Sequence, residues 1–259
     1  MVAFDADELS KLDFPGYTVV EAITHGGLPT SATHARPTAF VCLDGKTYWL
    51  KAKAQQGLVA ELIAGRLAVR CQAGPLARIV RVTKEAVESV PDADHLQGVV
   101  VGIEDIKGAV NARDLKPFKI SGEFQPEMLD AASRARVIAF QTWIGVQDNQ
   151  VLIQLANGFI HSIDHGDAFG DTSADTDPSI VVTKIPDVPD DLGKGTEDVS
   201  AAVDRIEAIT DGALLQDVAN VPGGEDPWRS PADRRLRIAE WLAFRRGRLR
   251  EVMETWLKT

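Results

Sequence analysis

Residues 143–169 read WIGVQDNQVLIQLANGFIHSIDHGDAF. Two short apolar runs, Val151–Leu155 and Phe159–Ile163, flank Asn157-Gly158, and Asn-Gly between such runs is a strong local signal for a β-hairpin. Pairing the runs holds Asp148, three residues ahead of the first, and Asp164, directly behind the second, at the same end of the hairpin. Either aspartate alone would serve as a turn residue or a cap. Two carboxylates brought together suit metal binding plus a base that orients a nucleophile.

Outward from this hairpin, Pro126 opens a helical segment running to about Ile144. Met128, Ala131, Ala132, Val137, Phe140 and Ile144 are its expected buried positions. Beyond the hairpin lie a polar, turn-like stretch (171–177) and a proline-bearing loop (186–195). Two helices are then expected, Val199–Leu215 and Pro231–Leu257, with Ser230 as N-cap of the second and Pro231 in its first turn. Upstream, strands are expected over Tyr17–Ile23, Thr38–Leu43 and Thr47–Lys51, the last two joined by the turn Asp44-Gly45-Lys46. A helix from about Gln56 to Cys71, with Leu58, Leu62, Leu67 and Val69 among its apolar positions, stops at Gly74-Pro75. Strands Ala77–Val82 and Gly98–Ile103 follow. This order implies an α+β fold of two unequal lobes with their boundary near Glu104. Residues 1–104 form a small β-rich N-lobe with one helix, and residues 105–259 a larger, mostly helical C-lobe.

Composition narrows the function classes. The chain has 259 residues, 44% apolar and 25% charged, enough to bury a core without staples. Its formal net charge of −10 argues against nucleic-acid and anionic-membrane partners, which need a positive surface. The N-terminal stretch lacks the basic and apolar regions of a signal peptide. No apolar run approaches the roughly 18 residues of a membrane span, so a cytoplasmic protein is expected. Cys42 and Cys71 are too few for a zinc site and read as buried thiols. Seven arginines fall between Arg234 and Arg250, either a solvated helix face or a docking patch for an acidic partner.

Two charges in the first lobe complete the pattern. Lys51 ends the strand Tyr48-Trp-Leu-Lys51, and Glu61 sits in the helix that follows. Each alone fits a solvent-facing residue. Together they match a strand lysine that binds nucleotide phosphates and is held by a helix glutamate. Lys53 is an alternative on the same strand face. The loop from Thr24 to Thr33, with Gly26 and Gly27, carries small and hydroxylated residues that let backbone amides approach a phosphate, or it is a loop with no ligand.

The order Lys51, Glu61, Asp148, Asp164-His-Gly resembles the HipA-like kinases, an atypical protein-kinase fold related to the phosphatidylinositol kinases. The resemblance covers about residues 16 to 170. It rests on Glu61-Leu-Ile-Ala-Gly-Arg-Leu-Ala68, similar to the family's E-L-hydrophobic-A-x-x-L-A helix, and on Ile163 to Phe169, similar to its I-D-H-G-x-A-F segment. It implies ATP and Mg2+ as cofactors and a two-lobed kinase-like fold. Lys51 would contact the phosphates, Glu61 would hold it, and Asp148 would accept the substrate hydroxyl's proton. Asp164 would bind the metal, and Val101-Gly-Ile103-Glu104 would be the hinge that meets adenine. The family's second metal ligand, an asparagine five residues after the catalytic aspartate, is replaced by Ile153. Asn149 or Gln150 would take over, Gln150 being better placed at the strand edge. His165 would partner a phosphate or pack against the segment.

The implied activity is transfer of phosphate to a serine or threonine hydroxyl of a protein substrate, including the kinase itself. A nucleotide-binding pseudokinase with the arginine-rich last helix as contact surface is the alternative from another class. A small-molecule or lipid-headgroup kinase is a third, which the negative charge fits poorly in its lipid form.

Overall fold

The computed structural model describes residues 4–11, 19–27, 38–51, 55–88, 90, 96–146, 148, 150–170, 180, 182, 195–221 and 230–259. Lys53, Asn149 and the stretches 28–33, 171–177 and 186–194 lie outside them. A short helix α1 (Ala6–Lys11) precedes strand β1 (Val19–Gly27). Strands β2 (Thr38–Cys42) and β3 (Thr47–Lys51) form the expected hairpin. Helix α2 (Gln55–Cys71), strand β4 (Ala77–Val82), the single turn α3 (Lys84–Val87) and strand β5 (Gly98–Glu104) follow. The strands pair in the order β1-β2-β3-β5-β4, and parallel pairing of β1 with β4 closes them into a barrel.

Side chains alternate across a strand, and this alternation sorts the barrel's two faces. Tyr48 and Leu50 pack inside with Phe40, Val80, Val82 and Val100. Gly102 stands among them because a Cβ there would collide with Val80 and Tyr48. Ala77, Ile79 and Val101 alternate to the outer face and join a second core with Leu62, Ile63 and Leu67 of α2. Lys51, next after Leu50, therefore leaves the barrel on the side that α2 covers.

The second half contains strand β6 (Ala109–Asn111), helix α4 (Lys116–Ser121), helix α5 (Ala131–Ile144) and strands β7 (Gln150–Gln154) and β8 (Ile160–Ile163). Helices α6 (Thr196–Glu207), α7 (Asp211–Ala219) and α8 (Ala232–Leu257) complete it. Strands β6, β7 and β8 form one antiparallel sheet. The second core is continuous from α2 through Phe140 and Trp143 of α5 to Leu242 and Leu249 of α8. Just past α2 the chain lies directly on β8, where the Ser162 N–H donates to the Ala73 carbonyl at 2.7 Å. A Cβ at Gly74 would run into the Ser162 carbonyl, so only glycine permits this approach.

Several local expectations are corrected. The helix expected over Val199–Leu215 is two helices, because Thr210 takes extended backbone angles and caps the N-terminus of α7 through the Ala213 N–H. Pro126 opens only a 3-10 turn, Pro126–Met128, after which extended Leu129 breaks the chain and Asp130 caps α5. Met128, expected inside, is 41% exposed, and Val69, one of the apolar positions of α2, is 45% exposed. The hairpin loop is longer than two residues: the Gln154 N–H donates to the Phe159 carbonyl, and Gly158 holds φ +72° between them. Ser230 is not the N-cap of α8; Pro231 occupies that position. Cys42 and Cys71 are buried, and burial pushes their thiols up to about 11 and about 12.

The arginines of α8 are neither a solvated face nor a free patch throughout. Arg245 is buried and donates to the carbonyls of Thr142 and Trp143, in the last turn of α5. Arg235 donates to the carbonyls of Ala219 and Val221 at the end of α7. Arg246 reaches the Ile209 carbonyl just past α6, and Arg250 binds Asp204 and Glu207 on α6. Helix C-termini leave carbonyls without intrahelical partners and favour positive charge, so one helix supplies caps to three others. Among the described residues no helix is long and apolar enough to cross a membrane.

Two glycines separate packing from propensity. Gly74→Ala should destabilise the fold by about 1–3 kcal/mol, because backbone must move to admit the methyl. Gly247→Ala, in mid-α8 with nothing within 4 Å of its Cβ position, should stabilise by roughly 0.5–1 kcal/mol. Urea unfolding of the two variants checks both signs.

Candidate functional site

Lys51 Nζ lies 2.9 Å from Asp164 Oδ1 and 3.4 Å from Glu61 Oε2. Glu61 is 1% exposed, and a carboxylate so far from water needs charged or hydrogen-bonding partners. Besides Lys51 it receives the backbone N–H of His165, 3.2 Å from Oε1. One helix side chain thus binds the last residue of β3 and the turn that leaves β8.

That turn has a defined build. Ile163 ends β8 opposite Gln150, the first residue of β7. Asp164 then adopts φ +59°, a left-handed conformation uncommon for a residue with a Cβ and concentrated at functional sites. The Ala168 N–H closes the turn on the His165 carbonyl, and the Phe169 N–H anchors it to the Ile144 carbonyl at the end of α5. Phe169 is buried, its ring edge-on to Trp241 of α8.

Gln150 joins the two aspartates. Its Nε2 donates to Asp164 Oδ2 at 3.0 Å and to Asp148 Oδ2 at 2.8 Å, so a single amide spans the gap between the carboxylates. Asp148 is further fixed by its own N–H, given to Asp167 Oδ2 at 2.8 Å, and by Arg113 Nη2, 2.8 Å from Oδ1.

A buried layer supports this chain from behind. His165 is 2% exposed, and burial holds its pKa below the ordinary value, which keeps the ring neutral. Gln141 Nε2 donates to Ser162 Oγ at 2.9 Å, and Ser162 Oγ lies 2.8 Å from His165 Nε2. The other ring nitrogen, Nδ1, faces Glu61 Oε1 at 3.6 Å. Phe140 stands edge-on to the imidazole at 5.5 Å. His165 therefore packs against the segment, the second of the two roles considered for it.

Five of the singled-out residues meet in one chain: Glu61, Lys51, Asp164, Gln150 and Asp148. Gly26 and Gly27 are not in a loop as expected: Thr24 to Gly27 continue β1, where pairing with β2 runs as far as Gly27 and Ala39. Ile103 and Glu104 end β5 at the far end of its pairing with β3 from Lys51, where Glu104 opposes Tyr48. The Glu104 N–H donates to the Leu76 carbonyl, and its carboxylate accepts from Lys46 Nζ at 2.7 Å. Arg113 and Asp167 were not foreseen. Asp167 fills the variable position of the I-D-H-G-x-A-F segment, whereas Arg113 lies on a 3-10 turn that only the β6–β7 pairing carries to Asp148.

Among the described residues no group of three or more His, Cys, Asp or Glu side chains is arranged to hold a metal ion. Mg2+ at a nucleotide is held through one or two carboxylates together with substrate phosphates and water rather than by an all-protein cage, and Asp164 and Asp148, bridged by the Gln150 amide, are two carboxylates close to one another.

No protein-family model matches the sequence, and no curated protein matches it. Among solved structures, the crystal structure of a Helicobacter pylori proinflammatory kinase, CtkA, is similar with a TM-score of 0.56 at 13% identity, covering 93% of this chain and 99% of that one. The crystal structure of the Golgi casein kinase with Mn/ADP bound is a more distant likeness, with a TM-score of 0.43 at 11% identity over 97% of this chain and 75% of that one. The likeness to CtkA is one of fold, and the fold is kinase-like.

The partners of Glu61 set its response to substitution. Glu61→Gln keeps an acceptor for Lys51 or the His165 N–H and should alter stability by less than about 1 kcal/mol. Glu61→Leu orphans the buried N–H and should cost about 1–3 kcal/mol. Equal losses in denaturant unfolding would show that the carboxylate position does not depend on these hydrogen bonds.

Proposed function

We propose that this protein is an ATP-dependent phosphotransferase of the HipA-like type. It moves the γ-phosphate of ATP to a serine or threonine hydroxyl of a protein, its own chain included. The observation that carries the reading is the continuous polar chain. Lys51 is joined to both Glu61 and Asp164, and Asp164 is joined through Gln150 to Asp148.

In this reading Lys51, oriented by Glu61, binds the nucleotide phosphates. Asp148 orients the incoming hydroxyl and accepts its proton while the hydroxyl oxygen bonds to the terminal phosphorus and the bond from that phosphorus to ADP breaks. Asp164 and Gln150 would hold Mg2+, which supplies charge neutralisation at the phosphate oxygens. Gly26 and Gly27 approach the phosphates, and the chain at Ile103 and Glu104 meets adenine. Because the Glu104 N–H is given to Leu76, other backbone groups of that segment make the adenine contact. ATP then lies between the lobes formed by residues 1–104 and 105–259. Such catalysis asks little covalent work of the protein beyond positioning and charge.

One observation favours a second reading, a nucleotide-binding pseudokinase that works as an interaction module. Ile153, where the second metal ligand is expected, is fully buried in β7, which leaves that duty to Gln150 alone among the described residues.

Calorimetric titration of ATP with and without Mg2+ tests the site, and a transfer assay tests the reaction. Binding should require Mg2+ and be lost in Asp164→Asn, while Asp148→Ala should bind nucleotide yet transfer phosphate at least ~100-fold more slowly. Binding without Asp148-dependent transfer selects the pseudokinase. Absence of binding by the wild type removes both readings.

A further inference from the structure

We infer that Arg113 is a phosphate-binding residue of this site, its guanidinium taking the terminal phosphate of the nucleotide. The inference rests on the phosphotransferase reading above, and it names a residue outside every motif that led there.

Arg113 is mounted firmly. Asn111 ends β6 opposite Leu152 of β7, and its Oδ1 accepts the Arg113 N–H at 3.0 Å. Ala112 and Leu115, on either side, are 5% and 1% exposed and belong to the second core. The guanidinium is therefore presented by a fixed turn of the same sheet that presents Gln150. Its side chain is about half exposed, and among the described residues its ion-pair partner is Asp148.

Charge gives the reason for a cation here. Lys51 lies between Glu61 and Asp164. Asp148 and Asp167 add two further carboxylates next to them, and Arg113 is the cation that pairs with Asp148 among the described residues. A nucleotide phosphate entering such an acidic site needs positive charge at its terminal group, where charge is redistributed during transfer. Arg113 is within hydrogen-bond reach of Asp148, the group that in this reading stands where hydroxyl and phosphorus meet. A guanidinium keeps its charge at all working pH values and offers several donors in a planar fork suited to phosphate oxygens. Its half-exposed pairing with Asp148 is of a kind that solvent and screening keep weak, so the fork can turn to phosphate and release the carboxylate to the hydroxyl.

The same contact would serve equally as a latch that blocks Asp148, and the two roles predict opposite results. The test compares ATP and ADP affinity by calorimetry, with Mg2+, for wild type, Arg113→Ala and Arg113→Lys, alongside the rate of phosphate transfer. For a phosphate-binding residue, wild type prefers ATP over ADP. Arg113→Ala loses that preference by about 10-fold or more and slows transfer by ~10²-fold or more, and Arg113→Lys recovers part of each. Thermal unfolding should be unchanged, since the side chain is half exposed. An unchanged ATP/ADP ratio, a wild type indifferent to the terminal phosphate, or a faster Arg113→Ala enzyme each overturns the inference. A wild type that binds neither nucleotide removes the phosphotransferase reading and this inference together. Binding with an unaltered Arg113→Ala ratio removes this inference alone. If wild type binds but transfers nothing, the ratio still decides.

Discussion

A carboxylate held at 1% exposure inside an apolar helix is unstable unless the surrounding structure supplies its partners. Glu61 obtains them from two elements distant in sequence, the end of β3 through Lys51 and the turn after β8 through the His165 N–H. Its burial therefore does more than stabilise a lysine. It ties the closed barrel to the turn after β8 at the place where Lys51 meets Asp164. Gly74 acts on the same joint, because its missing side chain lets the chain beyond α2 lie against β8.

The support extends well behind the polar chain. Gln141 and Phe140 of α5 hold Ser162 and His165 in place, and the last turn of α5 receives Arg245 from α8 and the Phe169 N–H. A neutral, buried His165 is a structural strut between these groups. The arginines of α8, which by number alone suggest an exposed basic surface, are in good part the caps of α5, α6 and α7. A guanidinium can be buried in this way because carbonyl oxygens at helix ends are strong acceptors lacking internal partners.

In this kinase-like fold α5 ends at Ile144 and β7 begins at Gln150. With β7 beginning at Gln150, the fifth residue beyond Asp148 is already inside a strand and facing the core. Gln150 instead bridges Asp148 and Asp164, and Asp167 and Arg113 take up the remaining groups of Asp148. The site is thus more heavily cross-linked by its own side chains than the motif suggests. Any ligand must exchange with these contacts rather than enter a set of unengaged groups.

The sequence by itself determined the strands of the barrel apart from the last four residues of β1, the existence of α2, α5 and α8, and the hairpin that carries Asp148 and Asp164. These follow from period-2 and helical patterning, from turn residues such as Asp44-Gly45, and from the short span between Trp143 and Phe169, all of them local. It missed the break before Thr210 and the separation of Pro126 from α5, where an N-cap residue interrupts a pattern that hydrophobic spacing alone carries across. What only the tertiary structure decided is which distant groups meet. Arg113 reaches Asp148 through the pairing of β6 with β7, and the arginines of α8 find the ends of other helices. The physical reason is that patterning reports which face of an element is apolar. A buried ion or an unpaired carbonyl is matched only when separate elements pack, and that match is not written in the spacing of either one.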